Sequence, residues 1–261
     1  MQALSTSTAL SISTAFEHTR VPAVAPILRG RPQARAAHPA GAQEAGRHTA
    51  PHDADLLPRA TTTVTVPRNR AIYFEGDPAE HYYRVVSGTV RICKETEDGR
   101  RQIASFPAAG NLFGWAGRTH HGYSAEAVTD VTLLRWHRRT IEAAILADPD
   151  AGHRILAILF EQLGEAQTHL LLLGRMRATE RVAAFLLARA ERYRREGFQG
   201  GRVPLPMCRK DIADYLGLTV ETVSRTMHAL KQRGVIGFGA GDAVQIADHG
   251  ELERLGCGLG A

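Results

Sequence analysis

The sequence predicts an α+β fold with three parts: an N-terminal β-barrel or β-roll, a long helix, and a C-terminal winged helix-turn-helix. Three observations support this prediction. Short β-rich segments separated by turn-forming residues fill residues 61–136. Residues 147–176 carry apolar side chains at helical spacing, and residues 209–247 show the order helix, short turn, helix, hairpin. Each part is justified below in chain order.

The β-rich part is divided by glycine- and proline-containing turns. Val90, Ile92 and Lys94 alternate as in a half-buried strand. Asp98-Gly99 lies between two such segments and predicts a hairpin. Several short strands at regular spacing are typical of a barrel or roll.

The long helix has an unusually broad apolar surface. The apolar positions three or four residues apart are Ile155, Leu159, Leu163, Ala166, Leu170 and Leu173. Phe160, Leu171 and Leu172 widen this stripe. The helix could pack only on its own barrel, but so large an apolar surface favours pairing with a second copy across a two-fold axis.

The C-terminal part begins with a helix over about 179–196, followed by "FQGGRVPLP", which we expect to be a loop. A short helix, Arg209 to Tyr215, precedes the turn Gly217 to Thr219 and a longer helix. The segments "GVIGF" and "AVQIA" then predict a two-stranded wing.

Composition limits the remaining possibilities. The 261 residues allow about two domains of ~100–200 residues. A net charge of +5 suits a polyanionic partner, and three separated cysteines argue against a disulfide framework or a local zinc site and favour a cytoplasmic protein. No segment reaches the ~18–20 apolar residues of a membrane helix. Residues 1–60 are expected to be a disordered extension; their composition resembles an organelle transit peptide only weakly.

These patterns predict five consecutive regions. They are the extension over 1–60, a β-roll domain over 61–145 (sensor-like by the family resemblance described below), a dimerisation helix over 146–176, a winged helix-turn-helix over 177–247, and a tail over 248–261.

The second helix of the helix-turn-helix carries Glu221, Ser224 and Arg225 on one face. A surface salt bridge between Glu221 and Arg225 would be one explanation, contributing only ~0.3–0.5 kcal/mol. Contact with DNA explains the three residues separately, because Arg donates two hydrogen bonds to guanine, Glu accepts from the cytosine amino group, and Ser can contact either edge. We therefore expect these residues to contact bases, while Val223, Met227, Leu230 and Val235 dock the helix.

Phosphate contacts are expected around this helix. Thr219 can cap the helix and present its hydroxyl to a phosphate. Thr222, Arg209 and Lys210 are the other predicted backbone contacts. Residues 201–240 contain six Lys/Arg and three acids, which favours a DNA-facing surface.

The segments "DIADYLGLTVETVSR", "IYFEGDPAEHYYRVVSGTVRICK" and "GRMRATERVAAFLL" resemble the Crp/Fnr superfamily of bacterial transcription regulators, and the FixK branch most closely. The resemblance covers about residues 62–247. It implies a β-roll like that of cyclic-nucleotide-binding domains, a dimerisation helix and a DNA-binding domain. The E-x-x-S-R pattern is similar to the reader of TTGAT with its inverted partner ATCAA, and Val220 replaces the arginine usual in the cyclic-AMP branch.

Departures from the family patterns argue against a cofactor. Residues 1–92 contain no cysteine for an iron–sulfur cluster. Gly114-Trp115-Ala116 and Tyr123-Ser124 lack the carboxylate and guanidinium with which the cyclic-AMP branch holds its ligand. His120 and His121 are candidate haem ligands, although adjacent loop histidines are more often solvated or hydrogen-bonded. No metal-ligand set typical of a cupin enzyme is evident.

Cys208 is predicted to open the first helix of the helix-turn-helix, beside Arg209 and Lys210. It could be an inert cap. Alternatively, the helix terminus and the flanking cations favour a thiolate, and oxidation would place a negative charge close to DNA phosphates.

Together these features predict a non-enzymatic, homodimeric DNA-binding transcription activator with no metal or cofactor. It would bind a palindromic promoter site, contact RNA polymerase, and control microaerobic respiration or nitrogen-fixation genes. The alternative is a ligand- or haem-gated regulator of the same fold.

Overall fold

The computed structural model describes residues 62–115, 119–197, 200–239 and 242–256. The expected extension over 1–60, Ala116 and Cys257 lie outside the described residues. Two four-stranded antiparallel sheets form the N-terminal part. The first has the order β1-β8-β3-β6, and the second β2-β7-β4-β5. The strands are β1 (Thr62–Val66), β2 (Ala71–Tyr73), β3 (His81–Ser87), β4 (Val90–Glu95), β5 (Arg101–Ser105), β6 (Leu112–Phe113), β7 (Ser124–Ala127) and β8 (Val131–His137).

The roll closes around inward-facing side chains. Tyr83, Val85 and Leu133 lie in this core with Val90. The alternation predicted for Val90, Ile92 and Lys94 is interrupted, because the register shifts between Ile92 and Cys93, so that Cys93 is buried and Lys94 is exposed. The hairpin at Asp98-Gly99 is confirmed: it joins β4 to β5, and Gly99 takes the positive φ of 77° that the turn requires.

Two helices follow the roll. Helix α1 (Arg138–Ala147) and helix α2 (Pro149–Arg175) meet at Asp148, which caps α2 by accepting a hydrogen bond from the Asp150 N–H at 3.0 Å. The long helix is therefore confirmed, but α1 was not predicted. It follows β8 directly, without a glycine or proline to mark the boundary.

Helix α2 has two apolar faces. Ile155 and Leu172 are buried against the protein. Leu156, Phe160, Leu163 and Leu170, here called the outer stripe, are 46–68% exposed. The single stripe predicted from the sequence therefore divides between an inward row and an outward row.

The described C-terminal part contains four helices and a small sheet. Its elements are α3 (Ala178–Arg195), β9 (Arg202–Pro204), α4 (Arg209–Leu216), α5 (Val220–Gln232), β10 (Ile236–Phe238), β11 (Ala243–Ile246) and α6 (His249–Gly256). The wing has three strands in the order β10-β11-β9. The expected loop over 198–206 thus contributes strand β9, and the expected tail contains α6, whose Leu252 is buried.

A second core joins the two halves of the molecule. Cys93, Ile103 and Phe106 from the roll lie in one cluster with the buried side chains of α3, α4 and α5. The C-terminal half therefore packs directly on the roll. None of the described helices is both long enough and apolar enough to cross a membrane.

Candidate nucleic-acid interface

Helix α5 is docked by its apolar side. Val223, Met227, Leu230 and Val235 are each at most 1% exposed, as the sequence predicted. Because 3.6 residues make one turn, Ser224, Arg225 and His228 between these positions are exposed, while Thr226 is buried with the apolar side. Helix α5 is therefore a surface helix with one side buried against the C-terminal part and the other side exposed.

The turn before α5 is held by backbone conformation and by one arginine. Gly217 ends α4 in the left-handed conformation with φ 61°, which favours glycine. The Arg181 guanidinium donates to the carbonyls of Leu216 at 2.9 Å and Leu173 at 2.8 Å. One side chain of α3 thus ties the ends of α2 and α4 together and positions the start of α5.

Thr219 caps α5. Its hydroxyl accepts a hydrogen bond from the Thr222 N–H at 3.2 Å and lies 3.1 Å from the Thr222 hydroxyl. Thr219 is exposed and Thr222 is half-buried. Thr219 and Thr222, two of the four residues predicted to contact DNA phosphates, therefore lie at the N-terminus of the helix. The N–H groups and the helix dipole favour a phosphate there.

Glu221, Ser224 and Arg225, here called the recognition face, are all exposed on α5. Within the described part of the chain, Arg225 makes no hydrogen bond or ion pair, so the surface salt bridge with Glu221 is not formed. The Glu221 N–H, the Thr219 hydroxyl and more weakly Arg225 hold the pKa of the Glu221 carboxyl below its ordinary value. The carboxylate is thus ionised at neutral pH, as a hydrogen-bond acceptor for cytosine must be.

An aromatic side chain that the sequence analysis did not single out lies against two cations of the C-terminal part. Phe238, on β10, is 43% exposed. The Arg209 guanidinium lies 5.7 Å and the Lys231 ammonium 5.0 Å from its ring centroid. The sequence signal that could have identified Phe238 is its position as an aromatic residue just before the wing turn. Lys210 instead donates to Asp214 at 2.9 Å while staying exposed.

Cys208 is the cap of α4, as predicted, and its sulfur accepts a hydrogen bond from the Asp211 N–H at 3.4 Å. The side chain is exposed, whereas Cys93 is buried in the roll. Burial raises the pKa of the Cys93 thiol to about 11. Of these two thiols, only Cys208 is open to a reagent from solvent.

Comparison with known proteins shows the family. Residues 63–148 match the family described as "Cyclic nucleotide-binding domain", and residues 180–255 match "Crp-like helix-turn-helix domain". The nitrogen fixation regulation protein FixK of Azorhizobium caulinodans is 43% identical over 206 residues, covering 77% of this chain and 82% of that protein. FixK of Rhizobium meliloti is 41% identical over 194 residues, covering 74% and 86%. The structure of FixK2 from Bradyrhizobium japonicum has a TM-score of 0.70 at 39% identity, covering 74% and 96%.

The chain belongs to the Crp/Fnr family and is FixK-like. It is accordingly a DNA-binding transcriptional activator and not an enzyme. The resemblance inferred from the sequence is confirmed, as is the fold class.

In this regulator, charged side chains fasten the helix-turn-helix to the roll. The Asp211 carboxylate on α4 forms ion pairs with the guanidinium groups of Arg101 at 2.5 Å and Arg91 at 3.3 Å. Arg101 also forms an ion pair with Asp214 at 2.8 Å. These four residues are here called the interdomain ion-pair network. The Asp211 side chain is 3% exposed, so water competes little with these contacts.

The two candidate haem ligands have different surroundings. His120 is exposed and hydrogen-bonds the Thr119 hydroxyl at 2.9 Å. The His121 ring is buried and stacked on Tyr73, with the centroids 3.6 Å apart. Burial lowers the pKa of His121, which keeps this ring neutral.

The positions where the cyclic-AMP branch holds its ligand are filled by internal contacts. The Trp115 ring lies 4.6 Å from that of Tyr82. The Ser124 hydroxyl accepts a hydrogen bond from the Glu75 N–H at 2.9 Å. Both side chains are therefore engaged within the roll.

Proposed function

We propose that this regulator binds the palindrome TTGAT/ATCAA as a homodimer, and that it does so without a cyclic nucleotide or an iron–sulfur cluster. The observation that carries the proposal is the recognition face: three hydrogen-bonding side chains stand exposed at the start of a helix whose opposite side is fully docked. The N-terminal residues of such a helix contact base edges in the major groove.

The three residues take different roles. Arg225, free of internal partners among the described residues, donates two hydrogen bonds to guanine O6 and N7. Glu221 accepts from the amino group of cytosine, and Ser224 contacts an adjacent base edge. The G·C pair of each half-site is therefore the position that the helix discriminates most strongly.

Phosphate contacts surround these base contacts. Thr219 and Thr222 lie at the N-terminus of α5, where the helix dipole favours a phosphate. Arg209 lies beside the ring of Phe238 at the wing, and Lys210 projects from α4. Contacts of this kind supply much of the affinity and make it fall as salt rises.

Dimerisation is supported by the outer stripe. Leu156, Phe160, Leu163 and Leu170 follow steps of four, three and seven residues, the spacing of a coiled-coil seam. Pairing two copies along α2 would place two α5 helices on one side of the dimer. Each helix then enters one of two successive major grooves ~34 Å apart.

The FixK relatives, named as nitrogen fixation regulation proteins, support a role in the control of nitrogen-fixation genes. The family resemblance adds microaerobic respiration genes to this proposal. As an activator acting on promoters, the dimer would contact RNA polymerase and work in the cytoplasm. The side chains of Trp115 and Ser124, both engaged within the roll, support binding to DNA without a nucleotide effector.

A mobility-shift assay with purified reduced protein and a TTGAT/ATCAA duplex tests the proposal, with no effector added. We expect a specific shift that survives excess non-specific DNA. A duplex with both G·C pairs replaced serves as the control. Absence of a shift, or a shift that appears only after cyclic AMP is added, would overturn the proposal.

We further propose that oxidation of Cys208 weakens DNA binding. The exposed thiol begins α4 beside two cations, so a sulfinate there would repel nearby phosphates. Peroxide should reduce DNA binding by the wild type and leave the Cys208→Ser variant unaffected. Equal loss of binding in both proteins would contradict the idea.

A further inference from the structure

A cavity of about 90 Å³ lies between the roll and α2. Gly110, Asn111 and Leu112 form one wall, and Ile155 and Ile158 of α2 form another. A water needs only ~10–15 Å³ of such volume, so the cavity has room for several waters or one small organic molecule. It lies outside the aromatic core of the roll formed by Tyr83 and Phe113.

Arg84 supplies the charge of this cavity. Alternation along β3 places it on the same side as Tyr82, facing the helices. It is only 7% exposed and lies opposite Leu112 and Leu134 in the sheet. With the residues that the structure describes, its guanidinium makes no hydrogen bond or ion pair. A buried cation in this position calls for a partner that carries negative charge.

A second arginine lies on the opposite wall. Arg154 donates to Asp148 at 3.2 Å through a terminal nitrogen, while its Nε atom is buried without a partner. The carboxylates of Glu161 and Glu165 lie at the cavity rim, where both residues are exposed. Neither carboxylate forms an ion pair with Arg84 or Arg154 in the described part of the chain.

The cavity faces away from the proposed dimer interface. Arg154 and Leu163 are nine residues apart on α2, which corresponds to 180° around a helix with 100° per residue. The lining of the cavity and the outer stripe therefore occupy opposite sides of α2. A second copy packed on the outer stripe would leave the cavity open.

We propose that this cavity binds a small organic monocarboxylate, either a simple acid or an amino acid, whose two oxygens pair with Arg84. A guanidinium matches a carboxylate with two parallel hydrogen bonds. The buried Nε atom of Arg154 offers a further donor. The rim carboxylates repel ligands of higher negative charge, which disfavours inorganic phosphate and dicarboxylates, and they would attract the ammonium group of an amino acid.

The site is also linked to the DNA-binding half. Asn111 lines the cavity, and its side-chain oxygen accepts a hydrogen bond from Arg192 of α3 at 2.8 Å. Arg192 also donates to the Ala109 carbonyl at 3.1 Å. A ligand held against Asn111 would therefore contact the loop on which α3 rests.

Isothermal titration calorimetry on the purified full-length chain tests the site without DNA, so its outcome is independent of the proposed palindrome. The titrants are acetate, propionate, glycine, alanine, succinate and inorganic phosphate at constant ionic strength. We expect at least one monocarboxylate to bind with one site per chain, and Arg84→Gln to weaken that binding at least tenfold. Arg68→Gln, at an exposed arginine of the roll, should bind as the wild type does.

A second variant covers the case in which Arg84→Gln does not fold. Ile158→Phe fills the cavity from α2 and leaves Arg84 in place, so it should also abolish binding. A stronger response to the simple acids or to the amino acids identifies which of the two is preferred. The proposal is overturned if no monocarboxylate binds, if phosphate or succinate binds more tightly, or if the Arg84→Gln and Ile158→Phe proteins bind like the wild type.

Discussion

Arg225 is exposed near the start of α5 and has no internal partner among the described residues, so its removal should change DNA recognition without disturbing the fold. We expect Arg225→Ala to lose ~1–3 kcal/mol of discrimination per half-site at the G·C pair. Fluorescence anisotropy with TTGAT duplexes, intact or changed at the G, measures this loss. Lys210→Ala is the matched control, because Lys210 is exposed and proposed to contact a phosphate, and loss of a phosphate contact weakens both duplexes equally. Undiminished discrimination by Arg225→Ala would remove Arg225 from the base contacts.

His169 makes stability depend on pH. Its ring stacks on Tyr215 at 4.1 Å, and burial and then the charge of Arg181 lower its pKa from the ordinary 6.5. Between the lowered value and 6.5, the unfolded chain binds the proton more readily than the folded chain. The free energy of unfolding should therefore fall as the pH is lowered from 7 through this window.

The variant His169→Phe isolates this contribution, since it retains an aromatic ring against Tyr215 and removes the titrating group. Urea denaturation at pH 7 and pH 5 should show a smaller loss of stability in the variant than in the wild type. Buried His121, whose pKa is also lowered by burial, should still produce a residual loss in both proteins. An identical pH dependence in the two proteins would exclude His169 as a contributor.

At the scale of elements, the outer stripe of α2 predicts how the dimer can be broken. Leu163 lies in its middle and is 53% exposed. Leu163→Asp places a charge in an apolar seam, and a penalty of ~1.4 kcal/mol or more raises the dissociation constant at least tenfold. Analytical ultracentrifugation should show monomers at concentrations where the wild type is dimeric.

Leu146→Asp provides the control for this experiment. Leu146 is 86% exposed on α1, outside the stripe, so its replacement should leave the dimer intact. Binding to the palindrome should weaken only in Leu163→Asp, because a monomer presents one α5 helix to one half-site. A dimeric Leu163→Asp protein would show that the seam lies elsewhere.

Elements with a strong local pattern were predictable, and elements made by distant pairing were not. The hairpin at Asp98-Gly99 and helix α5 follow from turn chemistry and periodicity within about a dozen residues. Strand β9 has only three residues, ends in Pro204, and exists because Val203 pairs with Val244 across the sequence. Helix α6 is eight residues long and is stabilised by burial of Leu252 on the domain.

The same distinction holds for the functional residues. The recognition face lies within five consecutive residues and could be found from its spacing. The contact of Phe238 with Arg209 joins residues 29 positions apart, and the pairing of Arg101 with Asp211 spans 110 positions. The first contact depends on how β10 lies against α4 and the second on how the roll packs against α4, and no local pattern in the sequence describes either. Thr219 at the helix cap was predictable because capping is local.

For the whole molecule, the interdomain ion-pair network determines how firmly the DNA-binding half is held. Asp211→Asn removes one buried carboxylate from Arg101 and Arg91, which keep Asp214 and Glu126 as partners, so it should cost ~1.5–3 kcal/mol of stability. Urea denaturation measures this loss, and hydrogen exchange should show faster opening of α4. Asp98→Asn, which removes an exposed carboxylate in a hairpin, should change stability little. Equal midpoints for Asp211→Asn and the wild type would contradict this role.

Burial of the same network also determines what a titration with salt can measure. Ions screen exposed charges strongly and enclosed pairs much less, with a Debye length of ~10 Å at 0.1 M. Added potassium chloride should therefore release this regulator from DNA by competing at the phosphates while the roll and α4 stay fastened at Asp211. The slope of affinity against salt concentration would then count phosphate contacts alone, because the protein that leaves the DNA has the same shape as the protein that bound it.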